Sequence, residues 1–216
     1  MKSSAVGNRA TKAVVALALA LMAAPTWAAV MFSTFGPSDE YSNSYYPIGF
    51  VFDDDDGPST QEVAVSFVPG FDGPLASIRV ATRHYGDPNA YSVFLTSDSN
   101  GEPGSPLETF SPVTFSADAP SIVTLNSLTN PLLSLGSTYW VVMTAPNLQA
   151  TEGAWYINDQ NIIGASFRIG GGSWFAAEAR SPAVEVNANV PEPATVALFG
   201  LGLAGIGAIR RKKLAA

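Results

Sequence analysis

Four consecutive aspartates are the densest group of metal-ligating side chains in the sequence. They occupy positions 53 to 56 and are followed by Gly57. Carboxylate oxygens are ligands that Ca²⁺ prefers, and extracellular modules can hold this ion in weak sites. We therefore predict a calcium site that uses Asp53, Asp55 and Asp56. The alternative is a solvated acidic turn after a strand over 48–52, because the run lacks the downstream bidentate glutamate of an EF-hand.

A second oxygen-rich loop runs from Asp98 to Glu102 and has Asn100 and Gly101 at its centre. Its oxygens also suit calcium. Asn-Gly between two strands is, however, the leading signal for a two-residue hairpin turn, in which the loop side chains face water. Both interpretations stay open on the sequence alone.

Trp174 is the candidate for ligand binding. It follows Gly170-Gly171-Gly172-Ser173, a setting that favours exposure of its ring. An exposed indole can stack on the apolar face of a sugar. For Trp140 and Trp155 we expect burial in the core, where large aromatic side chains usually lie.

Residues for enzymatic chemistry are scarce. His84 is the one histidine, the chain has no cysteine, and no Gly-x-Ser-x-Gly segment occurs. Zinc sites and nucleophilic triads are therefore disfavoured. Glu152, Asp159, Glu178 and Glu185 could supply the carboxylate pair of a glycosidase, although the sequence does not give their separation. We predict that the protein is not an enzyme.

The elements that must position these residues are β-strands. Alternating or apolar runs at 63–68, 75–81, 90–95 and 139–143 are separated by turn residues, and helical periodicity is nearly absent. This pattern predicts an all-β fold, a single jelly-roll-like β-sandwich of about nine or ten strands. Residues 187–190 are expected to form a linker after this domain.

The N-terminus has the pattern of a secretory signal peptide. A basic start containing Lys2, Arg9 and Lys12 precedes the apolar run 13–24. The segment ends in Thr-Trp-Ala, a small-x-small cleavage site. We predict a signal peptide over 1–28, cleavage after Ala28 and a β-sandwich domain over 29–189.

The C-terminus contains a second apolar segment. Residues 194–209 carry no charge and are followed by four basic residues, Arg210, Arg211, Lys212 and Lys213. As a helix this segment would reach about 24 Å, slightly short of a hydrocarbon core of about 30 Å. Pro191-Glu192-Pro193 precedes it and favours extended backbone. A transmembrane helix over 194–209 is predicted, with the basic cluster on the cytoplasmic side.

The order of these three features over residues 190–216 resembles the PEP-CTERM protein-sorting signal. The resemblance implies an exported protein of a Gram-negative, exopolysaccharide-producing bacterium. It also implies that an exosortase in the inner membrane recognises and cleaves the tail. The alternative is a plain hydrophobic anchor. The tail carries no information on the activity of the domain before it.

The body of the chain shows a second resemblance. Residues 95–107 form a strand that runs into an acidic, Gly- and Pro-rich turn, and residues 137–142 contain Tyr139 and Trp140. Together with Trp155 and Trp174, these features are similar to the choice-of-anchor R type of surface domain. The similarity covers residues 45 to 187 and implies a surface domain whose molecular activity is undefined.

Charge excludes one class of partner. Between residues 29 and 190 the chain has four arginines and seventeen acidic residues, a net charge of about −13. This domain would repel phosphate backbones, so we expect no nucleic-acid binding.

The sequence as a whole predicts an exported, non-enzymatic protein of the cell envelope or extracellular matrix, sorted by an exosortase, with a structural or binding role linked to exopolysaccharide. The alternative is a carbohydrate-binding module assisted by calcium. A secreted glycosidase is a third interpretation.

The calcium hypothesis predicts a shift in thermal stability. If the aspartate run binds the ion with a Kd of ~1 mM, about 10 mM calcium should stabilise the folded protein by ~1.4 kcal/mol. Asp55→Asn should diminish the rise in Tm, and Asp118→Asn should not. A Tm that does not respond to calcium would leave the run as a solvated turn.

Overall fold

The computed structural model describes residues 26–53, 57–145 and 151–191, and within these ranges the regular structure is nearly all antiparallel β. The thirteen strands are β1 (Thr26–Ser33), β2 (Tyr45–Asp53), β3 (Gly57–Phe67), β4 (Gly73–Gly86), β5 (Tyr91–Ser99), β6 (Glu102–Val113), β7 (Ser121–Asn126), β8 (Leu132–Leu133), β9 (Tyr139–Thr144), β10 (Glu152–Tyr156), β11 (Ala165–Ile169), β12 (Phe175–Ala176) and β13 (Val184–Pro191). The described part contains one 3₁₀ turn, Pro37–Asp39, and no α-helix. The predicted all-β class is confirmed.

Four strands were not expected from the sequence. Two of them, β8 and β12, are two residues long and too short to show alternation. The first strand, β1, lies in the segment interpreted as the cleavage site, and β6 is interrupted by Pro103, Pro106 and Pro112. Proline lacks a backbone donor and is tolerated on edge strands, which is where β6 lies.

The expected linker over 187–190 is wrong. These residues belong to β13, where Asn187 and Ala188 are buried and pair with β4. The compact unit that contains the sheet is Ala28–Asn189, and the other unit, Met1–Trp27 with Val190–Ala216, lies almost entirely outside the described residues.

The strands form one curled antiparallel sheet. Its order is β1-β13-β4-β10-β2-β3-β9-β5-β6, with β11 and β12 added beside β3, and β7 and β8 beside β4. The long strand β4 thus pairs with β13, β10, β7 and β8 along its fourteen residues.

The core lies on one face of the sheet because side chains alternate along each strand. Its fully buried members include Val63, Val65, Val93, Leu95, Val141 and Met143 from β3, β5 and β9, and Ile78, Val80, Ile48, Val184 and Val186 from β4, β2 and β13. Trp155 is fully buried, and its Nε1 donates a hydrogen bond to the carbonyl of Ala183 at 3.0 Å. The expected burial of Trp155 is confirmed.

Tyr91 connects the two halves of the curled sheet. From β5, its hydroxyl donates to the carbonyl of Glu152 on β10 at 2.8 Å and lies 2.8 Å from Nδ1 of His84 on β4. Burial, followed by the charges of Glu152 and Asp87, raises the pKa of the Tyr91 phenol. His84 is itself buried, so the one histidine of the chain is a packing residue.

Gly153 on β10 leaves the space that the Tyr91 ring occupies. A Cβ at this position would lie 2.6 Å from the Tyr91 ring, closer than carbon atoms pack. We predict that Gly153→Ala lowers the free energy of unfolding by about 1–3 kcal/mol through overpacking. Urea denaturation measures the change. Gly172→Ala, in an exposed turn, is the matched control and should lower the free energy of unfolding by less. Equal decreases in the two variants would contradict the packing argument.

Candidate functional site

A cleft lies on the face of the sheet opposite the core. Because the Val63 and Val65 side chains point inward, their neighbours on β3 point outward, and the paired strands follow the same alternation. The registers Arg168↔Glu62, Ala64↔Val142, Val142↔Phe94 and Trp140↔Thr96 therefore place these side chains on one outer face. The cleft has a volume of about 210 Å³ and is lined by Glu62, Phe94, Thr96, Pro103, Gly104, Pro106, Val142, Arg168 and Trp174.

Apolar side chains form most of the walls. Phe94 and Trp174 pack against a buried cluster of Ala64, Trp140 and Val142. Trp174 is partly exposed, as predicted, whereas Trp140 is buried beneath the cleft and not in the main core. The expected burial of Trp140 is confirmed, and alternation puts this side chain on the side of β9 opposite Val141 and Met143.

A tight turn brings Trp174 to the cleft. Gly170 and Gly171 have φ of 59° and 73°, a region that favours glycine, and the turn closes with a hydrogen bond from Gly172 N to the Ile169 carbonyl at 3.0 Å. The chain reverses here between β11 and β12. The indole then lies beside Arg168, whose guanidinium carbon is 5.0 Å from the ring centroid.

The polar part of the cleft is an ion pair. Arg168 Nη2 donates to Glu62 Oε1 at 2.7 Å, and Nε donates to Glu62 Oε2. The hydrogen bond that Arg168 donates to Glu62 is the main cause that raises the pKa of Arg168. Glu62 is 6% exposed, so a buried carboxylate is balanced by a more exposed guanidinium. A buried carboxylate requires such a partner.

Thr96 contributes a polar atom with no protein partner. The residue is 4% exposed, and its Oγ1 makes no hydrogen bond among the described residues. Buried hydroxyls are nearly always hydrogen-bonded, and an exception calls for an explanation. Thr96 lines the cleft, but the oxygen itself is buried in the wall and is not open to a ligand there.

The β5–β6 hairpin forms the other wall of the cleft. Asn100 and Gly101 have φ of 58° and 83°, which confirms the hairpin interpretation of this loop. The Asp98 carboxylate accepts hydrogen bonds from Trp140 Nε1 at 2.8 Å and from Gly101 N at 3.1 Å. The Trp140 bond is the main cause that lowers the pKa of Asp98. Asp98 therefore anchors the hairpin that carries Pro103 and Pro106.

The predicted calcium ligands lie mostly outside the described residues. Asp53 ends β2 and pairs with Gly57, so the run is the connection of the β2–β3 hairpin, but Asp55 and Asp56 are not described. The calcium site stays a prediction. In the part of the chain that is described, no three His, Asp or Glu side chains come together as a metal site would require.

The predicted processing sites also lie largely beyond the described ranges. Ala28 is exposed within β1, and Pro191 is the last residue of β13, while residues 192–216, with the remaining sorting residues and the predicted helix, are not described. Among residues 26–53, 57–145 and 151–191, no helix is long and apolar enough to cross a membrane.

The sequence analysis missed three polar residues of the cleft. A signal for Glu62 existed, because it is a charged residue directly before the apolar run of β3. Arg168 similarly interrupts the apolar pattern of β11, but nothing indicated that the two would pair across 106 positions. Thr96 had no signal, since threonine is common in strands.

Comparison with known proteins identifies the tail. The model of the PEP-CTERM protein-sorting motif matches residues 189–212. A search of the curated proteins finds no match to the chain. The fold and the cleft define an all-β domain with a concave polar and aromatic site. The motif indicates that the chain is exported and is sorted to the cell envelope or extracellular space by an exosortase system.

Proposed function

We propose that this protein is a non-enzymatic component of the extracellular matrix, and that its β domain binds exopolysaccharide through the cleft. The observation that carries the proposal is the composition of the cleft. It combines the partly exposed Trp174 ring, apolar side chains and a hydrogen-bonded ion pair in one concave site. The sorting motif supports display of this site outside the cell.

The chemistry of a sugar matches these walls. A pyranose ring has an apolar face of C–H groups and an edge of hydroxyls that both donate and accept. Trp174, Phe94 and the two prolines offer an apolar surface for the face. Glu62 and Arg168 offer charged acceptors and donors for the edge, and hydrogen bonds to charged groups are stronger than neutral ones. Ligand sites commonly have this mixture of apolar walls and few polar groups.

The lining of the cleft supports the non-enzymatic part of the proposal. Glycoside hydrolysis uses two carboxyl groups on either side of the bond. Glu62 is the one carboxylate among the described residues that line the cleft. Glu185, one of the glycosidase candidates, is bound by Arg79 at 2.9 Å elsewhere in the fold.

The resemblance to the choice-of-anchor R surface domain belongs to the same proposal. The segments on which it rests include the β5–β6 hairpin and the strand with Tyr139 and Trp140. These segments form one wall and the floor of the cleft. A shared binding site would give such domains a common function.

Trp174 provides the direct test. Removing the indole should cost about 2 kcal/mol if ~80 Å² of its face covers the sugar, so binding should weaken about thirtyfold. Affinity electrophoresis in exopolysaccharide from the producing bacterium measures the change in Trp174→Ala. Phe175→Ala is the matched control, since this neighbouring ring does not line the cleft. Equal retention of wild type and Trp174→Ala would contradict the proposal.

The sorting signal is tested separately. Replacement of Pro191, Glu192 and Pro193 by alanine leaves the apolar segment and the basic cluster intact. A passive anchor should insert as before, whereas a sorted protein should accumulate as precursor in the inner membrane with its C-terminal mass retained. Mass spectrometry of the fractions decides between them, with Thr195→Ala as the control. Identical processing of the triple variant and the wild type would show that the motif carries no sorting information.

A further inference from the structure

We propose that the cleft selects electrically neutral sugars and rejects uronates and other anionic sugars. This inference rests on the proposed carbohydrate binding and adds the class of ligand. It is carried by the Glu62–Arg168 pair and the charge of the surrounding domain.

The positive charge of the cleft is already neutralised. Arg168 is the one cationic side chain that lines the cleft among the described residues, and it makes two hydrogen bonds to the Glu62 carboxylate. Its guanidinium also lies 5.0 Å from the Trp174 ring centroid. An anionic sugar that bound Arg168 would have to compete with a carboxylate that the fold holds in place.

The other arginines of the domain are engaged elsewhere. Arg79 forms ion pairs with Asp39 and Glu185, and Arg83 lies 4.9 Å from the centroid of the Tyr85 ring. Arg180 donates to the carbonyl of Asn158. None of the three lines the cleft.

An anionic sugar would also meet repulsion. Its carboxylate would lie near the Glu62 carboxylate, and two like charges at close range disfavour each other strongly. At longer range the net charge of about −13 over residues 29 to 190 repels polyanions. Both effects act on a uronate and neither acts on the corresponding neutral sugar.

The hydroxyls of a neutral sugar can form hydrogen bonds with both Glu62 and Arg168. The Glu62 oxygens accept hydrogen bonds, and Arg168 Nη1 has no partner among the described residues, so it can donate. A hydroxyl donates once and accepts as well, so neighbouring ring hydroxyls can bind the carboxylate and the guanidinium together.

Matched pairs of polymers test the selectivity. The protein isolated from its own host is measured by affinity electrophoresis against glucan and glucuronan, galactan and polygalacturonate, and mannan and mannuronan. Each pair shares its ring configuration and differs in the carboxylate. We expect the neutral member of at least one pair to bind at least about tenfold more tightly than its acidic partner. Equal or tighter binding of the acidic members would overturn the inference.

The native exopolysaccharide provides a second test of the selectivity. Chemical reduction of its uronate carboxyls to alcohols leaves the backbone and should not weaken retention. Raising NaCl from ~0.1 M to ~1 M shortens the Debye length from ~10 to ~3 Å and should not weaken retention. Loss of retention after reduction would overturn the inference while carbohydrate binding stands. Failure of every polymer to bind would instead overturn the proposed function itself, and the inference with it.

A variant tests the role of the ion pair. Glu62→Gln keeps the size of the side chain and leaves the Arg168 charge unneutralised, so the ratio of acidic to neutral binding should rise about tenfold or more. Glu108→Gln is the matched control, because Glu108 is equally buried and hydrogen-bonded but does not line the cleft. Near-ultraviolet circular dichroism checks that both variants fold. If Glu62→Gln does not fold, the polymer pairs measured with the wild-type protein decide the inference. An unchanged ratio in a folded Glu62→Gln protein would overturn the inference.

Discussion

The alternation of side chains along β3, β9 and β5 fixes both the core and the cleft. Val63 and Val65 enter the core, while Glu62 and Ala64 on the same strand face the cleft. A shift of one residue in the pairing of β3 would exchange the two faces and place the Glu62 carboxylate in the core. Burial of the valines therefore also holds the face with the cleft in register. The site needs no separate scaffold, since it is the reverse side of the packed sheet.

The sequence predicts this architecture well where a single strand carries the signal. Alternation identified the all-β class, and the Asn100-Gly101 pair identified the β5–β6 hairpin. The Gly-rich segment before Trp174 identified a partly exposed ring. Edge strand β6 was obscured by its prolines, because they remove the pattern that marks an interior strand.

The ion pair of the cleft could not be predicted from the sequence, because it depends on which strands become neighbours. Periodicity tells which face a side chain occupies, but not which residue stands opposite. Glu62 and Arg168 are 106 positions apart and meet only because β11 adds to the edge of β3. The expected burial of Trp140 did not say which face of the sheet it occupies, because large aromatic residues are buried on both faces.

The position of β13 makes completion of the sheet depend on both ends of the domain. This strand runs into the sorting motif, yet it lies between β1 and β4 and hydrogen-bonds along β4. A chain that ends before residue 184 leaves β1 and β4 without their shared neighbour. The sheet can therefore be completed only when nearly the whole domain is present, so truncation at the C-terminal end of the domain would expose two strand edges at once.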